Sequence, residues 1–119
     1  MLFPLIGVRL HGWLDDLVAL LYLAGAWALR LGGAALAVAL AGAAVHFLLT
    51  RLTDYPHGAI KLIPFRVHAF IELGEGLAVA AAAALLASQP AAARGFLALM
   101  ALTQVGAFTL SDYRTPAAS

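Results

Sequence analysis

Four apolar stretches, at about 10–29, 34–52, 67–87 and 92–110, occupy most of the chain and are parted only by short breaks. A stretch of roughly 20 residues crosses the ~30 Å hydrocarbon layer of a bilayer as an α-helix, at about 1.5 Å per residue. In hydrocarbon the helix also satisfies its own backbone hydrogen bonds, which an open strand or loop cannot do. The breaks are Arg30-Leu31-Gly32-Gly33, Asp54-Tyr55-Pro56-His57-Gly58 and Ser88-Gln89-Pro90, each rich in residues that end helices and make turns. This pattern predicts an all-α fold: one integral membrane domain over 1–119, a four-helix bundle with short links. Composition points the same way. Charged residues make up 11% of the chain, against about 25% in soluble domains, too few to cover a soluble surface of this size. The bilayer is therefore the expected partner.

A net charge of +1 without a polybasic run gives no field for nucleic acid. The absence of cysteine excludes disulfides, thiolate metal sites and a Cys nucleophile. The first residues, Met1-Leu2-Phe3-Pro4-Leu5, lack the positive n-region of a secretory signal, so the first segment is expected in the mature protein. No nucleophile–base spacing or phosphate loop occurs. Gly74-x-Gly76 lacks the third glycine and the preceding strand of a dinucleotide site, and no residue is marked as catalytic.

Self-similarity carries more information. Arg9-Leu10-His11 with Asp15 recurs 57 residues later as Arg66-Val67-His68 with Glu72, and Thr53-Asp54-Tyr55 recurs 58 later as Ser111-Asp112-Tyr113. The chain reads as two tandem hairpins, one over about 9–56 and one over about 66–114, joined by a loop at about 54–65. Because each repeat holds two crossings, the copies are expected to be parallel, related by a pseudo-twofold along the membrane normal. Arg9, Arg51, Lys61, Arg66 and Arg114 then lie on the side of the termini, and only Arg30 and Arg94 near the other face. The positive-inside rule makes that first side cytoplasmic, for a multi-pass protein of the inner (plasma) membrane.

Counting back from the far turns puts Asp15 and Glu72 about 22–24 Å from those turns and His46 and Gln104 about 20 Å from them, one level just inside the near edge of the hydrocarbon. His11 and Asp15 are four apart and share a helix face, as do His68, Glu72 and Glu75. A candidate site for a cation, a proton or a small polar ligand thus comprises His11, Asp15, His46, His68, Glu72 and Glu75, with Gln104 in support. Imidazoles and carboxylates on facing helices can bind a first-row metal ion, with His11, Asp15, His46, His68 and Glu72 as candidate ligands. Two other readings compete. The residues can form a clasp that only fixes helix register in a structural or assembly protein, with the carboxylates capping helices or pairing with Arg9, Arg51 or Arg66. Or they can ligate the metal of a membrane oxidoreductase.

Small residues at helical spacing, Ala35, Ala39 and Ala43 on one face and Gly74, Ala78 and Ala82 on another, predict close helix packing, or homo-oligomer contacts if turned outward. Trp13, Tyr22 and Trp27 read as interface anchors and lipid-facing bulk, and Tyr55 and Tyr113 as interfacial tyrosines.

The stretches His11-Gly12-Trp13-Leu14-Asp15 and Leu52-Thr53-Asp54-Tyr55-Pro56-His57-Gly58-Ala59-Ile60-Lys61-Leu62-Ile63-Pro64, followed by His68 with an acid four residues on, carry a resemblance to the SPW-repeat integral membrane proteins of bacteria. The resemblance implies a duplicated four-helix membrane fold and no particular activity. The Ser-Pro-Trp tripeptide that names the family is absent, and Glu72 stands where the family usually has Asp.

Overall fold

A computed structural model describes residues 2–114 and contains four helices: α1 (Val8–Ala28), α2 (Gly33–Leu52), α3 (Phe65–Leu85) and α4 (Ala91–Leu110). They fall within two residues of the apolar stretches. The largest packing surfaces join α1 to α2 and α3 to α4, so the chain is two hairpins packed side by side. Helices α2, α3 and α4 are each long and apolar enough to cross a membrane. Helix α1 matches them in length, but Arg9, Asp15 and Asp16 lower its hydropathy.

Local chemistry sets the helix ends. Helix α3 starts two residues before the apolar stretch because Pro64, at φ −58° and ψ 145°, presents its carbonyl to the His68 N–H. Pro90 does the same for α4 through Arg94. Helix α1 closes with Leu31 N–H bonded back to the Ala26 carbonyl across Arg30, which takes a left-handed φ of 50°. That backbone usually falls to glycine.

The segments that flank the helices meet at one end of the bundle. Leu5 and Ile6 N–H donate to the Leu110 carbonyl, and Asp112 N–H donates to Ile6. Residues 57 or 58 positions away make the same bonds: Leu62 and Ile63 N–H to the Leu52 carbonyl, and Asp54 N–H to Ile63. Ile6 pairs with Ser111, and Ile63 with Thr53, in two short parallel bridges. These pairings pull Thr53, Tyr55, Ser111 and Tyr113 inward over the helix ends.

Inside, an apolar core around Val18, Tyr22, Ala39, Val79, Leu97 and Met100 fills the end away from the bridges. A smaller cluster of Val8, Tyr55, Phe65, Ala69 and Tyr113 closes the other end. A polar layer lies between them. The outward faces are apolar, with Leu20, Leu77, Leu99 and Leu102 all exposed while His11, Asp15, His46, His68, Glu72 and Gln104 are buried. That distribution is the reverse of a soluble protein's.

The two small-residue faces have different fates. Ala35, Ala39 and Ala43 are buried and bring α2 close to its neighbours, so this face works inside the bundle. Gly74 and Ala78 are exposed; α3 instead turns Ala69, Gly76, Val79 and Ala83 inward. Gly42 is required by a close approach, since a Cβ there would sit 2.7 Å from Tyr22 Cζ. Tyr22 is fully buried and is not lipid-facing, because the gap opposite Gly42 accepts its ring.

Ala39→Leu is expected to destabilise the bundle by about 1–3 kcal/mol through overpacking, whereas Ala78→Leu stays within about 0.5 kcal/mol. Unfolding in detergent followed by circular dichroism checks this, and equal effects would contradict the inward placement of the α2 alanines.

Candidate metal centre

Helix α1 supplies His11 and Asp15, α2 supplies His46, and α3 supplies His68 and Glu72. All five side chains are at most 1% exposed. The i, i+4 spacing predicted that His and acid share a face, and both faces turn inward. His11 Nε2 lies 3.1 Å from Glu72 Oε2 and 3.4 Å from Asp15 Oδ1. His68 Nε2 lies 3.0 Å from Asp15 Oδ2 and 3.7 Å from Glu72 Oε2. His46 Nε2 is 3.6 Å from Asp15 Oδ1 and 3.9 Å from Glu72 Oε1. One ligand atom from each of His11, Asp15, His68 and Glu72 falls within 4.8 Å of all the others.

The outer edge of each imidazole is held. Thr53 Oγ1 donates its proton to the Leu49 carbonyl, so toward His68 Nδ1, 2.8 Å away, it acts as an acceptor. His46 Nδ1 is 2.6 Å from Glu75 Oε2, also an acceptor. In a neutral ring both contacts place the proton on Nδ1 and leave the Nε2 lone pair facing the centre. His11 Nδ1 meets Ser111 Oγ in the equivalent position.

The inner edge is different. His11 Nε2, His46 Nε2 and both oxygens of Glu72 are buried and make no hydrogen bond among the described residues. Buried polar atoms are rarely left so. The His11–Glu72 and His68–Asp15 separations, 3.1 and 3.0 Å, match donors bound to one ion, which lie about 3–3.5 Å apart when the bonds are about 2.0–2.2 Å; the His46 contacts, at 3.6 and 3.9 Å, are longer.

Two predicted members sit elsewhere. Glu75 is an outer partner of His46 and touches no other imidazole. Gln104 is buried, but its Oε1 accepts the hydrogen bond of Tyr22. Arg51, a proposed partner for the carboxylates, pairs with Asp16 at 2.7 Å and leaves Asp15 to the cluster.

Sequence reasoning missed Tyr55. It is fully buried, donates to Asp15 Oδ2 at 2.7 Å and stands 2.9 Å from His68 Nε2. Its ring packs over Gly12 beside His57; a Cβ there would strike His57 Cε1 and come within 3.2 Å of Tyr55 Cδ2. Burial, and then the charge of Asp15, push its hydroxyl far above the ordinary phenol range, so it acts as a donor while no cation is near. Tyr113 is raised by burial and by Glu72. The signal was present: Thr53 and Tyr55 recur as Ser111 and Tyr113, and it is these repeated residues that reach the histidines. Trp13 and Trp27 are exposed as expected.

Comparison of the chain with protein-family models, curated proteins and solved structures finds no match. The site is read from its own chemistry.

Thr53→Val is expected to cost about 1–3 kcal/mol by leaving the His68 Nδ1–H buried without an acceptor. Thr103→Val, at an exposed helix position, is expected to change stability by less than about 0.5 kcal/mol. Equal losses in chemical unfolding would remove Thr53 as the partner that orients His68.

Proposed function

We propose that this chain is a four-span membrane protein of the SPW-repeat type that binds one first-row transition-metal ion in its polar layer. In this reading two parallel-related hairpin repeats cross the inner membrane with both termini cytoplasmic, and His11, Asp15, His46, His68 and Glu72 are the ligands. The observation that carries the binding reading is the division of labour on the imidazoles: each Nδ1 is occupied from outside, while the Nε2 atoms of His11 and His46 and both Glu72 oxygens have no hydrogen-bond partner inside. His11 Nε2 stands 3.1 Å from Glu72 Oε2 without the alignment of a hydrogen bond, whereas a clasp that only fixes register would align the pair. Two carboxylates also balance the charge of a divalent ion, so the loaded centre is neutral, as a low-dielectric surrounding demands. Mixed nitrogen and oxygen donors suit iron, zinc or manganese better than calcium or magnesium.

The membrane reading rests on three helices of spanning length and apolarity and on the apolar outward faces. Helix α1 joins them by hiding Asp15 inside the bundle and pairing Asp16 with Arg51 near the helix end. A shared axis for the two hairpins is supported by the matching helix offsets and by the repeated terminal hydrogen bonds.

Protein purified in detergent without chelator is expected to carry one equivalent of a first-row metal by elemental analysis. His68→Ala and Glu72→Leu are expected to lower affinity by at least about 100-fold, with the fold of Glu72→Leu retained or stabilised, since binding sites trade stability for function. Affinity is expected to fall as the pH is lowered, because protons compete for the ligand imidazoles. Substoichiometric metal together with an unfolded Glu72→Leu variant would leave the register clasp as the function of the layer.

A further inference from the structure

The phenol oxygen of Tyr55 occupies a position in the ligand sphere. It lies 2.7 Å from Asp15 Oδ2 and 2.9 Å from His68 Nε2, hydrogen-bond distances just short of the roughly 3 Å that part neighbouring donors on an octahedral ion with bonds of about 2.0–2.2 Å. Tyr55 comes from the connector after α2, and three features fix its ring there: Phe65 packs against it with ring centroids 5.4 Å apart, His57 stacks on it at 5.6 Å, and Gly12, having no Cβ, leaves room for the stacked His57 and for the edge of the Tyr55 ring. The residue at the corresponding place in the second half, Tyr113, packs on Phe65 at 4.6 Å and has no hydrogen bond to Glu72 among the described residues. The position is therefore filled from one side only.

We propose that Tyr55 is the sixth donor of the centre and that the ion it selects is an oxidised, trivalent one, ferric iron above all. This deepens the metal-binding reading and rests on it. Three imidazoles, Asp15, Glu72 and Tyr55 form a six-donor set of three nitrogens and three oxygens, enough for octahedral coordination. Three of these donors are anionic once the phenol proton has left, which neutralises a trivalent ion. The step balances simply: the iron–oxygen bond forms, the Tyr55 O–H bond breaks, and the proton passes to solvent. With a divalent ion the two carboxylates alone balance the charge and Tyr55 remains a hydrogen-bond donor to Asp15, so the loaded centre is neutral with either ion. Hard anionic oxygen donors are the general means of favouring a trivalent over a divalent iron ion.

The test uses the intact protein in detergent, loaded anaerobically with ferrous ion and then oxidised with ferricyanide. A visible phenolate-to-iron charge-transfer band is expected to appear on oxidation, with phenolate modes in resonance Raman excited within it. The band is expected to vanish in Tyr55→Phe and persist in Tyr22→Phe and Tyr113→Phe. If Tyr55→Phe does not fold, the Raman spectrum of the parent protein still decides whether a phenolate is bound, and the other two variants decide which one. Iron retained in full with no such band, a band that survives in Tyr55→Phe, or a centre that takes up zinc but not iron would overturn the assignment of Tyr55 and leave the metal site standing. Failure to retain any of these ions would overturn the metal site itself.

Discussion

Two carboxylates buried within an apolar bundle are the constraint around which the rest of the structure is arranged. An isolated charge buried at Asp15 or Glu72 costs several kcal/mol, so each must have compensating groups from neighbouring helices. Three of the helices each bring one: His11 from α1, His46 from α2, His68 from α3. The imidazoles in turn need their outer nitrogens satisfied, and that requirement reaches into the terminal segments. Thr53 and Ser111 sit at the helix ends because two short bridges hold them there. The polar layer, the connectors and the termini therefore form one dependent set of contacts, while the distal apolar core around Tyr22 and Leu97 is a separate matter of packing.

The likeness of the two halves is broken where chemistry is concentrated. His11 answers to His68 and Asp15 to Glu72, but His46 on α2 answers to Gln104 on α4. Glu75, which holds His46, answers to Val18, and Tyr22, which holds Gln104, answers to Val79. One side of the bundle thus has a histidine with a carboxylate behind it, and the other an amide with a phenol behind it. A symmetric layer would offer an ion two equal places. The substitutions favour the side of His46 and Tyr55, and Gly42 makes the exchange possible by admitting the Tyr22 ring.

Much of this was legible before the coordinates. The helices followed from apolar run length and breakers, and the pairs His11–Asp15 and His68–Glu72 followed from helical spacing. Glu75 was placed in the same cluster because it shares a helix with Glu72, but an i, i+3 step turned it far enough to support His46 from outside. Gln104 lay at the right depth yet bonded to Tyr22, since depth fixes a level in the bundle and not a rotation. Tyr22 and Tyr55 were read as interfacial because an aromatic residue near a helix end commonly is. Their burial depends on gaps opposite Gly42 and Gly12, which are properties of two segments at once.

The sequence alone determined that this chain is helical, that its helices are apolar along most of their length, and that its ionisable residues recur in two sets. Those are consequences of local composition and periodicity, which act within one segment. The tertiary structure decided which faces meet: that both His–acid faces turn toward a common centre, that the alanines of α2 lie inside and those of α3 partly outside, and that a connector tyrosine completes the layer. Such choices depend on the rotation of each helix about its axis, and that rotation is set by the fit of all four helices and their connectors together, not by any one of them.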